Sequence, residues 1–170
     1  MEMPTGLKDL FPEIENEETL LKIEELIRQR EARRVADLVL AVRTVEAEFS
    51  PQAKEAIHRA FLKRAEAEGQ RAAARAAGTG VRDFLTVVEP GWAVTHKMRR
   101  IVDTEQRVLY EFTACMAAEE FKRLGATDIG AWSCEGDEPC LRGFNPSLVF
   151  KLSRTLLHGD SCCDHEFAEP

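Results

Sequence analysis

The feature that most constrains the fold is a change of hydrophobic period partway along the chain. Over the first half the apolar residues recur at helical spacing, whereas beyond about residue 90 they alternate. Ile14, Leu20, Leu21, Ile23, Leu26 and Ile27 form one stripe. Val35, Leu38, Val39, Val42, Val45 and Phe49 resume it after the polar stretch 28–34. One long helix from about Glu13, or two helices with a kink near 28–34, both satisfy this spacing, and an acidic first turn suits a helix N-terminus. Residues 1–12, with Pro4, Gly6 and Pro12, read as a lead-in without regular structure. Ser50-Pro51 marks a second helix start, since serine can cap free amides and proline is tolerated in a first turn. Ala53, Ala56, Ile57, Ala60 and Phe61 are expected on its buried side, and Gly78 and Gly80 are expected to end it.

Trp92, Val94, His96 and Met98 alternate, as do Val108, Tyr110, Phe112 and Ala114, with the turn-like DTEQ between them. The pattern predicts an antiparallel hairpin with one packed face. Residues 116–124 predict a short helix stopped by Gly125. The stretch 130–146 reads as loop-rich, because it carries Gly136, Pro139, Gly143 and Pro146. A strand near 148–157, a bend at Gly159-Asp160 and a strand near 163–167 follow. Helices first and strands later predict an α+β class, with N-terminal helices packed on a C-terminal antiparallel sheet. A length of 170 residues suits a single domain, 1–80 mainly helical and 81–170 sheet-containing and cysteine-bearing.

No run approaches the roughly 18 apolar residues needed to cross a bilayer, and the acidic N-terminus lacks the basic head and apolar stretch of a secretory signal. Both observations favour a cytoplasmic protein with no membrane partner. The net charge of -7 argues against nucleic acid, and the arginines at 28, 30, 33 and 34 are interleaved with acid, so they read as a solvated helix face. The Ile14–Phe49 stripe makes a homodimer through the N-terminal helices a candidate assembly.

The candidate chemistry lies in the second half. The first 114 residues contain no cysteine, and Cys115, Cys134, Cys140, Cys162 and Cys163 follow. In a reducing compartment such clustering points to thiol chemistry or metal rather than to a disulfide framework, with buried core thiols as the plain alternative. Cys115 falls where a strand gives way to a helix, whose free amides would favour a thiolate. Cys134 and Asp137 fall in the expected loop, and Cys163 follows the glycine bend with His158, Asp160, Asp164 and His165 close in sequence. Cys115, Cys134 and Cys163 could supply ligands to zinc or iron, although no CxxC pair occurs. No phosphate-cradling glycine motif, HExxH or GxSxG is present.

Residues of about 90–168 resemble the L-2-amino-thiazoline-4-carboxylic acid hydrolase family. The resemblance is carried by VLYEFTAC ending at Cys115, by EEFKRLGA, by WSCEGD with Cys134 and Asp137, and above all by FNPSLVFKLSRTLLHGDSCCDHEF. The chain departs from the family pattern at His165, where an aromatic is usual, and in the extra thiol of Cys162. The resemblance implies a hydrolase that opens a small cyclic thiazoline to a carbamoylated cysteine. It names Cys115, Cys134, Asp137, Asp160 and Cys163 as site residues. A thiolate or an activated water would attack the ring carbon between sulfur and nitrogen, and an acid would protonate the departing heteroatom. Cys115 or Cys134 is the first choice of nucleophile, with Asp137 in a supporting role, and a metal held by the three cysteines could instead activate water. The non-catalytic alternative is a small-ligand or metal-binding sensor or accessory domain.

Overall fold

Val108, Tyr110 and Phe112 are all buried while the residues between them keep more exposure, so the alternation in the sequence becomes a strand with one face in the core. In the computed structural model, which describes residues 7–170, four strands form one antiparallel sheet. They are β1 (His96–Asp103), β2 (Arg107–Cys115), β3 (Val149–Leu152) and β4 (Cys163–Ala168), in the order β1-β2-β4-β3. In β4, Cys163 lies opposite Phe112, His165 opposite Tyr110 and Phe167 opposite Val108. Directly opposed residues share a face, so His165 stands in the core row of the sheet. With the helices, this gives the expected α+β architecture.

The helices are α1 (Leu7–Leu10), α2 (Glu17–Glu48), α3 (Pro51–Ala73), α4 (Val81–Thr95), α5 (Met116–Arg123), α6 (Thr127–Glu135) and α7 (Asp137–Phe144). Of the expected lead-in, Leu7–Leu10 is helical, and Pro4 and Gly6 lie outside the described residues. Asn16 begins α2 by accepting from the Thr19 amide at 3.0 Å. The polar stretch 28–34 does not interrupt α2, whose side chains are held there by Glu31–Arg34 at 2.8 Å and by an Arg28–Glu119 bond to α5 at 2.9 Å. Ser50 caps α3 as its spacing predicts, accepting from the Ala53 amide at 3.2 Å. The buried side of α3 lies further along than expected: Ala56 and Ala60 are exposed, while Ala65, Gly69 and Ala72 are buried.

Three further segments differ from the sequence-based expectation, the first being the strand expected near 148–157, which is only Val149–Leu152 and is followed by a 3-10 turn at Leu156–His158. Trp92 and Val94 belong to α4, so the alternating strand begins only at His96. The helical stripe was present as Val81, Phe84, Leu85, Glu89 and Ala93, all buried, with Pro90 and Gly91 inside the helix. The stretch 130–146 is mostly α6 and α7 rather than loop. Its glycines serve close approach. A Cβ at Gly143 would land on the Glu66 carbonyl of α3, and one at Gly69 would land on the Cys140 carbonyl of α7. Gly69 and Gly143 therefore let the backbones of α3 and α7 touch.

Two apolar clusters result. One joins α4 to the sheet through Phe84, Leu85, Tyr110, Phe112, Phe144 and Phe167. The other joins α2, α5 and α6 through Val35, Val42, Phe121, Ile129 and Trp132. No helix among the described residues is long and apolar enough to cross a membrane. The outer face of α2 exposes Leu21, Leu26 and Leu40.

The glycine crossing generates a matched test. Alanine is the better helix former by about 1 kcal/mol. Gly69→Ala or Gly143→Ala should nonetheless destabilise by about 1–3 kcal/mol, because the added methyl meets backbone that cannot yield. Gly91→Ala, where a Cβ has nothing within 4 Å, should be neutral or stabilising. Urea unfolding of the three variants measures the difference, and equal behaviour at all three sites would refute the crossing argument.

Candidate functional site

A cavity of about 360 Å³ lies at the seam of the two clusters. Phe112, Cys163 and His165 reach it from the sheet, Trp92 and His96 from the end of α4 and the start of β1, Cys115 and Phe121 from the β2–α5 junction and α5, Ser133 and Cys134 from α6, and Asp137 from α7. Glu31 and Arg34 of α2 complete its wall. The volume is in the range for a small organic molecule and the lining is largely apolar.

Four of the five residues singled out in the sequence, Cys115, Cys134, Asp137 and Cys163, meet in this cavity. Asp160 does not line it. Its carboxylate is exposed and accepts from the Thr155 amide at 2.8 Å, closing the turn in which Gly159 takes a φ of 97°. Asp164 is likewise engaged with backbone, accepting from the amides of Ser153 at 2.8 Å and Arg154 at 2.7 Å. Its slight burial opposes ionisation, yet these bonds and the Ser153 hydroxyl hold it down at about 2. The two acids fold the β3–β4 connection so that the Leu156 amide donates to the Cys163 thiol at 3.2 Å. Cys140 lines a second cavity on the α3 side, and Cys162 is buried.

Burial raises the thiols of Cys115, Cys134 and Cys163. Cys115 does occupy the N-cap of α5, and its sulfur accepts from the Ala118 amide at 3.4 Å. Burial nevertheless outweighs the helix-end amides and pushes its thiol up. Burial pushes Cys134 up to about 12, with the Asp137 carboxyl adding to it, and it raises Cys163 as well. Burial thus works against the thiolate expected of Cys115, while the helix-end amides favour it. Among the described residues no group of three or more His, Cys, Asp or Glu side chains is arranged to hold a metal ion. The zinc or iron set considered for Cys115, Cys134 and Cys163 finds no support in that geometry, and the sulfurs of Cys115 and Cys163 already accept from backbone amides.

The groups suited to moving protons are instead Asp137 and the two histidines. Asp137 is partly buried, its side chain 25% exposed, and it lines both cavities. Burial pushes its carboxyl up to about 7, against the opposing pull of His96. His165 Nδ1 lies 3.7 Å from Asp137 Oδ2, too long for a direct hydrogen bond. Both ring nitrogens of His165 are buried without a partner among the described residues. Burial, with His96 adding to it, pushes His165 down to about 4, so it is neutral at pH 7. Burial also lowers His96, whose Nδ1 lies 2.9 Å from the Thr95 hydroxyl. An unpartnered imidazole beside a carboxyl poised near neutrality is a functional signature, because structural polar groups at this depth are normally satisfied.

Sequence reasoning underrated His165, read as a departure from a pattern, and His96, read as a strand residue. The signal for His165 was its place in the alternating row of Cys163 and Phe167, where a polar ring must enter the core. Glu31 and Arg34 looked like solvated helix surface, and nothing local in the sequence brings them to the cavity.

A family model described as L-2-amino-thiazoline-4-carboxylic acid hydrolase matches residues 28–167. The match begins inside α2, well before residue 90, so it takes in Glu31 and Arg34 as well as the cysteines. None of the curated proteins matches the chain. Among solved structures, the phenol-responsive sensory domain of the transcription activator PoxR, crystallised with phenol, superposes with a TM-score of 0.53 at 9% identity. That alignment covers 79% of this chain and 73% of the other, and at such identity the likeness is one of fold.

The raised Asp137 carboxyl has a defined pH consequence. An unfolded aspartate titrates near 3.9. The folded protein therefore prefers the protonated form, and Asp137 penalises folding increasingly as pH rises from about 4 to about 7. Asp137→Asn should be more stable than the parent at pH 8, by ~2–4 kcal/mol, with the gap closing toward pH 4. Urea titrations across that range measure the gap. A gap that is constant with pH would show that the carboxyl is not shifted.

Proposed function

The chain belongs to the L-2-amino-thiazoline-4-carboxylic acid hydrolase family, and on that premise we propose that it hydrolyses a small five-membered C–N/C–S heterocycle by adding water across the ring. The observation that carries the reading is Asp137, a buried carboxyl at about 7 facing an unpartnered, neutral His165 in a cavity of about 360 Å³. With its proton affinity close to neutral pH, Asp137 can serve as base and as acid in the same turnover.

The reaction balances as follows for an amino-thiazoline carboxylate. Water loses a proton to the Asp137 carboxylate while its oxygen bonds to the ring carbon between sulfur and nitrogen. As the oxygen bonds, the carbon–nitrogen π pair passes to the ring nitrogen. The tetrahedral adduct then breaks its carbon–sulfur bond, its hydroxyl becomes the carbonyl and gives its proton to that nitrogen, and the departing sulfur takes the proton from Asp137. One water is consumed and an N-carbamoyl cysteine is formed. A neutral His165 can accept a hydrogen bond from the water or donate one to the ring nitrogen, according to its tautomer. Trp92, Phe112 and Phe121 supply flat apolar walls. Water is favoured over a thiol as the nucleophile because burial raises all three cavity cysteines. Neutral Cys115, Cys134 and Cys163 then act as polarizable packing around the ring.

A second reading rests on the fold likeness to a phenol-responsive sensory domain. In it the same aromatic walls bind a small ring without turnover. The distinguishing experiment incubates the protein with L-2-amino-2-thiazoline-4-carboxylate and follows carbamoyl cysteine by mass spectrometry and free thiol by titration. Turnover is expected, with Asp137→Asn lowering kcat about 10²–10⁴-fold and Cys134→Ser leaving most of it. Turnover abolished by Cys134→Ser, with Asp137→Asn active, would return the thiol nucleophile. Saturable binding with no product would favour the sensory reading.

A further inference from the structure

Resting on the hydrolase reading, we infer that Arg34 is the specificity residue of the cavity, holding a carboxylate on the ring it accepts. Among the described lining residues Arg34 is the one lysine or arginine. The other ionisable groups there are acids, thiols and two histidines that burial keeps neutral at pH 7. An anionic ring entering such a cavity meets Glu31 and Asp137, and it has only the Arg34 guanidinium to neutralise it. Burying a carboxylate without a cation is prohibitive at this scale of cavity.

The guanidinium is held for that task. Its Nε and Nη2 donate to the same oxygen of Glu31, at 3.0 and 2.8 Å, across one turn of α2. Nη1 donates to nothing among the described residues and remains free for a ligand oxygen. Glu31 is mostly covered, whereas half of the Arg34 side chain is accessible, so the pair has its acid inward and its cation open. Glu31 is thereby a positioning residue, fixing the fork and cancelling its charge in the empty cavity. A ligand carboxylate adds a charge-assisted bond to the same fork, the kind of pairing for which arginine is suited and lysine less so. Within the polar 28–34 stretch Glu31 and Arg34 line this cavity, and the exposed Arg34 side chain also borders the outer groove it shares with Arg30 and Arg33.

The test uses two rings that are not amino-thiazolines and need no turnover: L-thiazolidine-4-carboxylate and thiazolidine, which lacks the carboxylate. Calorimetry on the full chain gives the affinity of each for the parent, Arg34→Met and Arg34→Lys. The parent should bind the carboxylate at least about tenfold tighter than the plain ring, as expected for one charge-assisted contact. Arg34→Met should erase that preference without weakening thiazolidine, and Arg34→Lys should restore part of it. A preference that survives Arg34→Met, or equal loss for both rings, overturns the assignment. So does a parent that binds both rings equally or neither. These outcomes are independent of whether the amino-thiazoline carboxylate is turned over, so failure of the carboxylate contact is separable from failure of the hydrolase reading.

Discussion

The structure depends first on a charge carried into the core. Glu89, on the inner face of α4, is only 9% exposed and accepts from Arg100 of β1 and from the Tyr110 hydroxyl of β2. Arg100 reaches on to Asp103 at 3.0 Å, and Arg82 of α4 pairs with the same aspartate. Burial works against the Arg100 charge, but its partners more than restore it, and burial together with Glu89 pushes the Tyr110 hydroxyl up. Removing one member of such a set leaves another charged or polar group unpaired in the interior, a loss of about 3–5 kcal/mol. The set also fixes geometry. Trp92 is one turn beyond Glu89 and His96 begins the strand that carries Arg100. Locking α4 to the sheet by directional bonds therefore sets two cavity residues in place as well as stabilising the fold.

The opposite wall is positioned by contact rather than charge. Because Gly69 and Gly143 let α3 and α7 meet at backbone distance, α7 lies deeper than helices separated by ordinary side chains would allow. Its first residue is Asp137. The carboxyl is buried by the same approach, and burial is what raises its proton affinity. Gly130 of α6 packs similarly against Phe121, where an added Cβ would lie 2.8 Å from the ring. The raised proton affinity of Asp137 is thus a consequence of helix packing, burial being its main cause.

Much of this was legible in the sequence, and the misreadings share a cause. The Ser50 cap, the Gly125 stop with its φ of 63°, the alternation of β2 and the strand at 163–167 follow from local rules and appear as expected. Gly136, Pro139 and Gly143, around α7, read as loop in the sequence. Local propensity counts such residues against a helix, but tertiary contact decides at these positions. Of the site, the residues bearing reactive atoms were found: Cys115, Cys134, Asp137 and Cys163 converge, while Asp160 serves its own turn. Their state was not legible, because a thiol beside a helix start is activated or silenced according to how deeply it is buried. Arg34 was hidden for another reason. It lies roughly a hundred residues before the groups it joins, on a helix whose polarity suits solvent equally well.

The resting cavity carries little net charge, and this bears on what can enter it. Three thiols remain protonated, both histidines are neutral at pH 7, Glu31 and Arg34 cancel one another, and Asp137 is near half-protonation. A cavity of ionised groups would hold water tightly, and each entering ring would have to displace it. Here most of the wall is apolar and the polar atoms left unsatisfied are few, notably the two nitrogens of His165. Binding of a small ring therefore gains from apolar contact, while its heteroatoms are oriented by His165 and Asp137. The same features suit a binding cavity and a hydrolytic one. The raised Asp137 carboxyl costs folding free energy as pH rises above about 4; in the proposed hydrolysis it moves a proton, and in the binding alternative its protonated form donates a hydrogen bond to the ligand.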